Sequence, residues 1–92
     1  MILDEFTGRN CKRTEYIDAS GKHWIVRTDP VFRDHKLVCY ETVLLLQLDY
    51  CNKRHGLATS ATKERAYLKH DGFVARLQRA EAMAANGGKE EK

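Results

Sequence analysis

Two runs of strand-forming residues constrain the fold of this chain more than any other feature. Aromatic and β-branched residues are concentrated in Cys11–Asp18 and again in His23–Thr28. The residues between the two runs are typical of a turn, and Gly21 there can adopt a positive φ. The pattern predicts an antiparallel β-hairpin. Because Pro30 lacks an N–H group, we expect the second strand to end there.

The segment from Leu37 to Cys51 supports two interpretations. Apolar residues recur in it at spacings of three and four, which is typical of a helical face: Leu37, Tyr40, Leu44, Leu48 and Cys51. The preferred interpretation is a short strand over 36–40, followed by a helix from about Thr42 to Arg54 that Gly56 ends. The alternative is one long helix capped by Asp34.

The remainder of the chain is predicted to be helical. Thr59 or Ser60 can cap a helix that runs through Lys69, and Asp71-Gly72 is expected to interrupt it. A second helix is expected from Phe73 to about Asn86. The predicted fold is therefore α+β, with an N-terminal antiparallel β-hairpin, or three strands, packed on two or three C-terminal helices.

The chain has 92 residues, which is the usual length of one domain. We predict a single small domain over 1–92, with a lead-in over 1–10, a β-rich part over 11–40, a helical part over 41–86 and a frayed tail over 87–92. The three cysteines are an odd number, which favours reduced thiols. No signal peptide is visible, and the longest apolar run is Val43–Leu46. We expect a soluble cytoplasmic protein with no membrane partner.

Four side chains have the donor types that zinc prefers. His35, Cys39, Cys51 and His55 form the pattern His-x3-Cys-x11-Cys-x3-His. Known zinc fingers place their two cysteines close together, and this order does not match them. Buried cysteines beside surface histidines explain the pattern more simply, so we predict no metal site and no cofactor.

Catalytic motifs do not emerge from the sequence. It contains no Gly-x-Ser-x-Gly, no His-Glu-x-x-His and no phosphate-binding glycine loop. Pairs of cysteine and histidine exist, but sequence alone does not place a base beside a nucleophile. We predict no enzymatic activity, no catalytic residues and no small-molecule substrate.

Positive charge is concentrated in one part of the chain. Cys51–Ala80 contains seven lysines and arginines against two acidic residues, a net charge of +5, whereas the whole chain carries +3. His55 and His70 lie among these cations and would add charge at mildly acidic pH. On the hairpin, further cations lie beside Tyr16 and Trp24, a combination that suits phosphates and bases. The predicted partner- or nucleic-acid-binding residues are Lys12, Arg13, Lys22, Arg27, Lys53, Arg54, Lys63, Arg65, Lys69, Arg76 and Arg79.

The basic hairpin (Cys11–Asp18 and His23–Thr28) followed by a basic helical half (Gly56–Lys69) resembles small phage-encoded proteins. More narrowly, it resembles the anti-CRISPR inhibitors of type I-F surveillance complexes. Those inhibitors share no common motif, so the resemblance assigns no functional residue. It implies a non-enzymatic inhibitor in the host cytoplasm that binds a complex of Cas subunits and guide RNA and blocks target DNA. Because this chain is basic, DNA mimicry is disfavoured.

Three functional hypotheses follow from the sequence. The first is a binding inhibitor of a nucleoprotein complex, which predicts weak affinity for free nucleic acid. The second is a small DNA- or RNA-binding regulator, with a helix-turn-helix as a lesser variant, which predicts salt-sensitive binding to naked nucleic acid. The third is an enzyme or zinc protein, which predicts bound metal or sensitivity to cysteine alkylation. The first is preferred.

Overall fold

A computed structural model describes the backbone of residues 1–90 and the side chains of residues 1–84. Five strands, β1 (Ile2–Thr7), β2 (Lys12–Ile17), β3 (His23–Arg33), β4 (Lys36–Gln47) and β5 (Asn52–Ser60), precede one helix, α1 (Lys63–Glu90). The strands form one antiparallel sheet in the order β1-β2-β3-β4-β5. Each strand therefore pairs with its neighbours in the chain, as short turns permit.

Helix α1 covers one face of the sheet. Side chains alternate between the two faces of a strand, and alternate residues in the middle of β2, β3 and β4 are buried under the helix. The core consists of Tyr16, Val26 and Leu44 from β2, β3 and β4, packed with Val74 and Leu77 of α1; Trp24 and Phe73 pack against its margin. The opposite face, which we call the uncovered face, has no helix over it in the described part of the chain.

The predicted balance of strands and helices is wrong. The hairpin exists as β2 and β3, but the lead-in over 1–10 contains β1, and the helix expected over 42–54 is the end of β4, a turn and the start of β5. A spacing of four residues fits both the helical period of about 3.6 and the strand period of 2. Tyr40, Leu44 and Leu48 can therefore share one face of a helix or one face of a strand. Pairing of β4 with β3 on one side and β5 on the other favours the strand.

Gly56 does not end a helix; it lies in β5, opposite Leu44. The ring of Phe73 lies directly over it, and a Cβ atom added at Gly56 would be 2.8 Å from the Phe73 Cε1 atom. Glycine at this position therefore leaves room for the Phe73 ring, which would have to shift if a side chain were added.

The two C-terminal helices of the prediction are one. Thr62 caps α1 by accepting a hydrogen bond from the Arg65 N–H at 3.3 Å, whereas the predicted caps Thr59 and Ser60 lie in β5. Gly72 is inside the helix and does not break it. The helix passes its predicted end near Asn86 and reaches Glu90. Glu91 and Lys92 lie outside the described residues.

Replacing Gly72 with alanine should stabilise the protein. A Cβ atom at Gly72 would meet no atom within 4 Å, and alanine in a helix interior is favoured over glycine by about 1 kcal/mol. Urea unfolding of Gly72→Ala should therefore give a higher midpoint. Gly56→Ala is the matched control, since its clash with Phe73 should lower the midpoint. A lower midpoint for Gly72→Ala would contradict a continuous helix at this position.

Strands β3 and β4 extend beyond the rest of the sheet. Pro30 does not end β3, because β2 pairs no further than Thr28 and the missing N–H lies where β3 is a local edge strand. The two strands continue to a two-residue turn at Asp34 and His35, whose φ angles of 52° and 65° are left-handed. Positive φ at both positions is the geometry of a type I′ hairpin turn.

Candidate functional site

Four of the predicted basic residues form a line along α1. Arg65, Lys69, Arg76 and Arg79 are separated by four, seven and three residues, and all four are exposed. At 100° per residue these steps keep the four side chains within a sector of about 80°, and the line is about 21 Å long. We call these four residues the basic stripe. It exists only because α1 is continuous through Gly72.

The surroundings of the basic stripe leave its charges uncompensated. Between Arg65 and Arg79 the one acidic residue is Asp71, which lies on another side of the helix and binds Lys12 at 2.7 Å. Glu81, beyond the stripe, accepts a hydrogen bond from Tyr16 at 2.8 Å. Lys69 Nζ donates to the Thr59 carbonyl at 2.7 Å, which leaves its positive charge unneutralised. The stripe is therefore a linear cationic surface, suited to a chain of negative charges.

The hairpin cations lie on a different surface. Arg13 and Arg27 are cross-strand partners on the uncovered face, opposite the side that α1 covers. Arg13 binds Glu15 at 2.7 Å, and Arg27 binds Asp29 at 2.9 Å. The structure therefore does not bring these two arginines together with the basic stripe, and each already has an acidic neighbour.

The other predicted basic residues are dispersed. Lys12 has a side chain only 18% exposed, binds Asp71 and lies 5.7 Å from the centre of the Tyr67 ring. Lys63 Nζ donates to the Arg9 carbonyl at 3.2 Å. The remaining three are exposed, in the β2–β3 turn or on β5: Lys22, Lys53 and Arg54.

The aromatic residues of the hairpin do not form a stacking surface with the cations. Tyr16 is buried, and burial together with its hydrogen bond to Glu81 raises its pKa to about 12. The Trp24 indole N–H donates to Asp18 at 3.0 Å. Burial opposes ionisation of Asp18, but hydrogen bonds from Trp24, Ser20 and the Lys22 N–H lower its pKa to about 2. These groups fix the β2–β3 turn against the core.

A buried polar network joins α1 to three strands. His70 is fully buried, with Nε2 2.9 Å from the Thr14 hydroxyl and Nδ1 3.0 Å from the Thr28 hydroxyl. The Thr28 hydroxyl is 2.9 Å from that of Thr42, which donates to the Ala66 carbonyl. Since each hydroxyl has one hydrogen, Thr28 donates to Thr42 and accepts from His70 Nδ1–H. Burial lowers the pKa of His70 and keeps the ring neutral, so His70 is the Nδ1–H tautomer and its Nε2 accepts from the Thr14 hydroxyl.

His70 was expected to lie among the surface cations, and that expectation is wrong. Burial is the main cause that lowers its pKa to about 4, and the nearby charge of Lys12 lowers it further. A signal for the buried position did exist in the sequence. Once α1 is continuous, Ala66, His70 and Phe73 extend the apolar stripe that includes Leu77 at spacings of three and four.

The candidate zinc residues lie at both ends of a long strand. His35 is in the β3–β4 turn and Cys39 is near the start of β4, whereas Cys51 and His55 follow its other end. From Cys39 to Gln47, β4 extends about 27 Å at about 3.4 Å per residue, and Cys51 follows Gln47, so the two thiols are far apart. Within the described residues, no three His, Cys, Asp or Glu side chains are close enough to hold a metal ion.

Comparison with family models, curated proteins and solved structures finds no match to this chain. Within residues 1–90, no helix combines the length and the apolar character that a membrane-spanning segment needs.

Proposed function

We propose that this protein is a non-enzymatic binding protein that attaches through the basic stripe to the phosphate backbone of a nucleic acid. One observation carries the proposal: four exposed cations share one side of one helix, and no acidic side chain interrupts them. Phosphates repeat along a nucleic-acid strand, so a line of cations about 21 Å long can contact several of them.

The first candidate target is a nucleoprotein complex. The resemblance to type I-F anti-CRISPR inhibitors supports a complex of Cas subunits and guide RNA, which the protein would bind so that target DNA is excluded. In such a complex, RNA held by protein exposes its phosphates to the basic stripe. The host cytoplasm is the compartment in which this inhibitor would act.

The second candidate is a regulator that binds free DNA or RNA. The outer side of α1 favours it, because this side is exposed along the stripe and a major groove is wide enough for one α-helix. The two candidates share the binding surface and differ in the target, so one set of variants tests both.

Charge reversal in the basic stripe should abolish tight binding. Arg76→Glu with Arg79→Glu removes two contacts and introduces repulsion, so affinity should fall roughly ten- to hundredfold or more. Affinity is measured by fluorescence anisotropy for a Cas–guide RNA assembly, a DNA duplex and a single-stranded RNA. Lys53→Glu with Arg54→Glu is the matched control, since it changes the same charge on β5, and it should have little effect.

The salt dependence separates the candidates. Loss of two phosphate contacts on a duplex should make the slope of log K against log salt shallower by about 2. Binding to the assembly alone supports the inhibitor, and equal binding to free nucleic acid supports the regulator. Reversal of the stripe without effect on any of the three targets would show that the stripe is only a solvated helix face.

A further inference from the structure

The ends of β3 and β4 form a ribbon that projects from the sheet. Strand β2 pairs no further along β3 than Thr28, and β5 pairs no further along β4 than Tyr40. We call residues 31–39 the arm. In it β3 and β4 pair only with each other, and both outer edges are open. Two-stranded ribbons of this kind are marginally stable alone, so a binding partner would stabilise the arm.

The arm exposes apolar side chains near its tip. Phe32 and Leu37 are cross-strand partners, and their exposed fractions are 59% and 47%. The adjacent Val38 is 52% exposed. In an antiparallel sheet the apolar residues normally lie on the face that packs on the core. Phe32 and Leu37 lie beyond the part of the sheet that α1 covers, so nothing in the described chain buries them.

The tip of the arm also carries an unfavourable charge pair. Arg33 and Lys36 are directly opposite each other, and like charges at such positions are destabilising. The same arrangement occurs in the body of the sheet with Arg13 and Arg27, but there each arginine binds a carboxylate of its own strand. Among the described residues, neither Arg33 nor Lys36 makes a salt bridge. Asp34, in the turn between them, is the one acidic residue of the arm, and among the described residues it makes no salt bridge with either cation, so a bound anion would relieve the repulsion.

We infer that the arm is a second nucleic-acid contact, in which Arg33 and Lys36 bind phosphates while Phe32 and Leu37 pack against sugars and base edges. The inference rests on the second candidate of the proposed function, a regulator that binds free nucleic acid. A two-stranded ribbon fits the major groove of a DNA duplex, and the cations at its tip complement the phosphates on the groove walls. The occupant of the arm is therefore a nucleic-acid duplex.

Two pairs of substitutions in the full-length chain test the arm, with a DNA duplex of about 20 base pairs as the probe at about 50 and 200 mM salt. Arg33→Gln with Lys36→Gln should weaken binding severalfold at the lower salt and make the salt slope shallower by up to about 2. Phe32→Ser with Leu37→Ser should weaken binding severalfold with an unchanged slope. Arg13→Gln with Arg27→Gln is the matched control, because it removes the same charge from a cross-strand pair and should leave affinity nearly unchanged.

The outcomes distinguish the arm from the basic stripe. If the stripe reversal weakens duplex binding while both arm variants bind like the wild type, the arm inference is overturned and the proposed function stands. If the arm variants weaken binding and the stripe reversal does not, the arm is supported and the stripe is not. If the wild type does not bind the duplex, the arm inference is overturned. It is also overturned if Phe32→Ser with Leu37→Ser changes the oligomeric mass measured by sedimentation equilibrium, because the apolar pair would then contact a second copy of the chain.

Discussion

Acidification from about pH 7 to about pH 4.5 should lower the free energy of unfolding by roughly 2–3 kcal/mol, because the folded protein holds His70 neutral. The imidazole is fully buried between two threonine hydroxyls, and its Nε2 accepts the Thr14 hydrogen. Protonation would make the Thr14 hydroxyl accept from Nε2 instead of donating to it, and it would place a charge in the core. In the unfolded chain the imidazole is in water, so it takes up a proton at the pKa of an unperturbed histidine, 6.5.

Stability falls on acidification because the pKa of His70 is lower in the folded protein than in the unfolded chain. The pKa of His70 is about 4 in the folded protein and 6.5 for an unperturbed histidine, so unfolding below pH 6.5 binds a proton. Stability from this group is complete above pH 6.5 and falls by about 1.4 kcal/mol per pH unit until the folded pKa is reached. Asp18, whose pKa falls from 3.8 to about 2, loses its contribution only below this window.

Urea unfolding as a function of pH measures the effect. His70→Gln retains a donor and an acceptor but does not titrate, so its stability should be lower at neutral pH and nearly flat over the same window. His23→Gln is the control, since His23 is exposed and its replacement should leave the wild-type slope. A wild-type midpoint that stays constant between about pH 7 and pH 4.5 would refute the neutral buried His70.

The sequence predicts local pairing well and long-range pairing poorly. The β2–β3 hairpin is encoded within 17 residues, from Lys12 to Thr28, by strand propensity and a turn containing Gly21. Strand β5 has no comparable signal of its own. It pairs with the open edge of β4, and its Gly56 accommodates the ring of Phe73. Both are tertiary contacts, which the residues of β5 alone do not predict.

For the candidate site, too, the sequence predicts the local features and not the long-range ones. Composition identifies the excess of cations in 51–80, and the helical period places Arg65 with Lys69 and Arg76 with Arg79. Only a helix that is continuous through Gly72 joins the two pairs into one stripe. The arm is predicted only in part. The sequence indicates a strand over 36–40, but Pro30 favours the end of the preceding strand, and the turn at Asp34 and His35 contains no glycine that would indicate it.

Truncation of Leu44 should cost about 2–5 kcal/mol, the range for a leucine removed from a packed core. Leu44 is 2% exposed and lies in the middle of β4, where its partners are Val26 on β3 and Gly56 on β5. It packs in one cluster with Val74 and Leu77, so Leu44→Ala leaves a cavity at the contact between helix and sheet. The cost would be measured by urea unfolding at neutral pH.

Leu48→Ala provides the matched control, because the same side chain is removed four residues further along the chain. Leu48 belonged to the same apolar spacing in the sequence, but it lies beyond the end of β4 and is 46% exposed. A helix with Leu44 and Leu48 on one buried face would lose stability with either substitution, whereas the strand places only Leu44 in the core. Leu48→Ala should therefore change stability by less than about 1 kcal/mol. Equal losses for the two variants would favour the helix and contradict β4 as described.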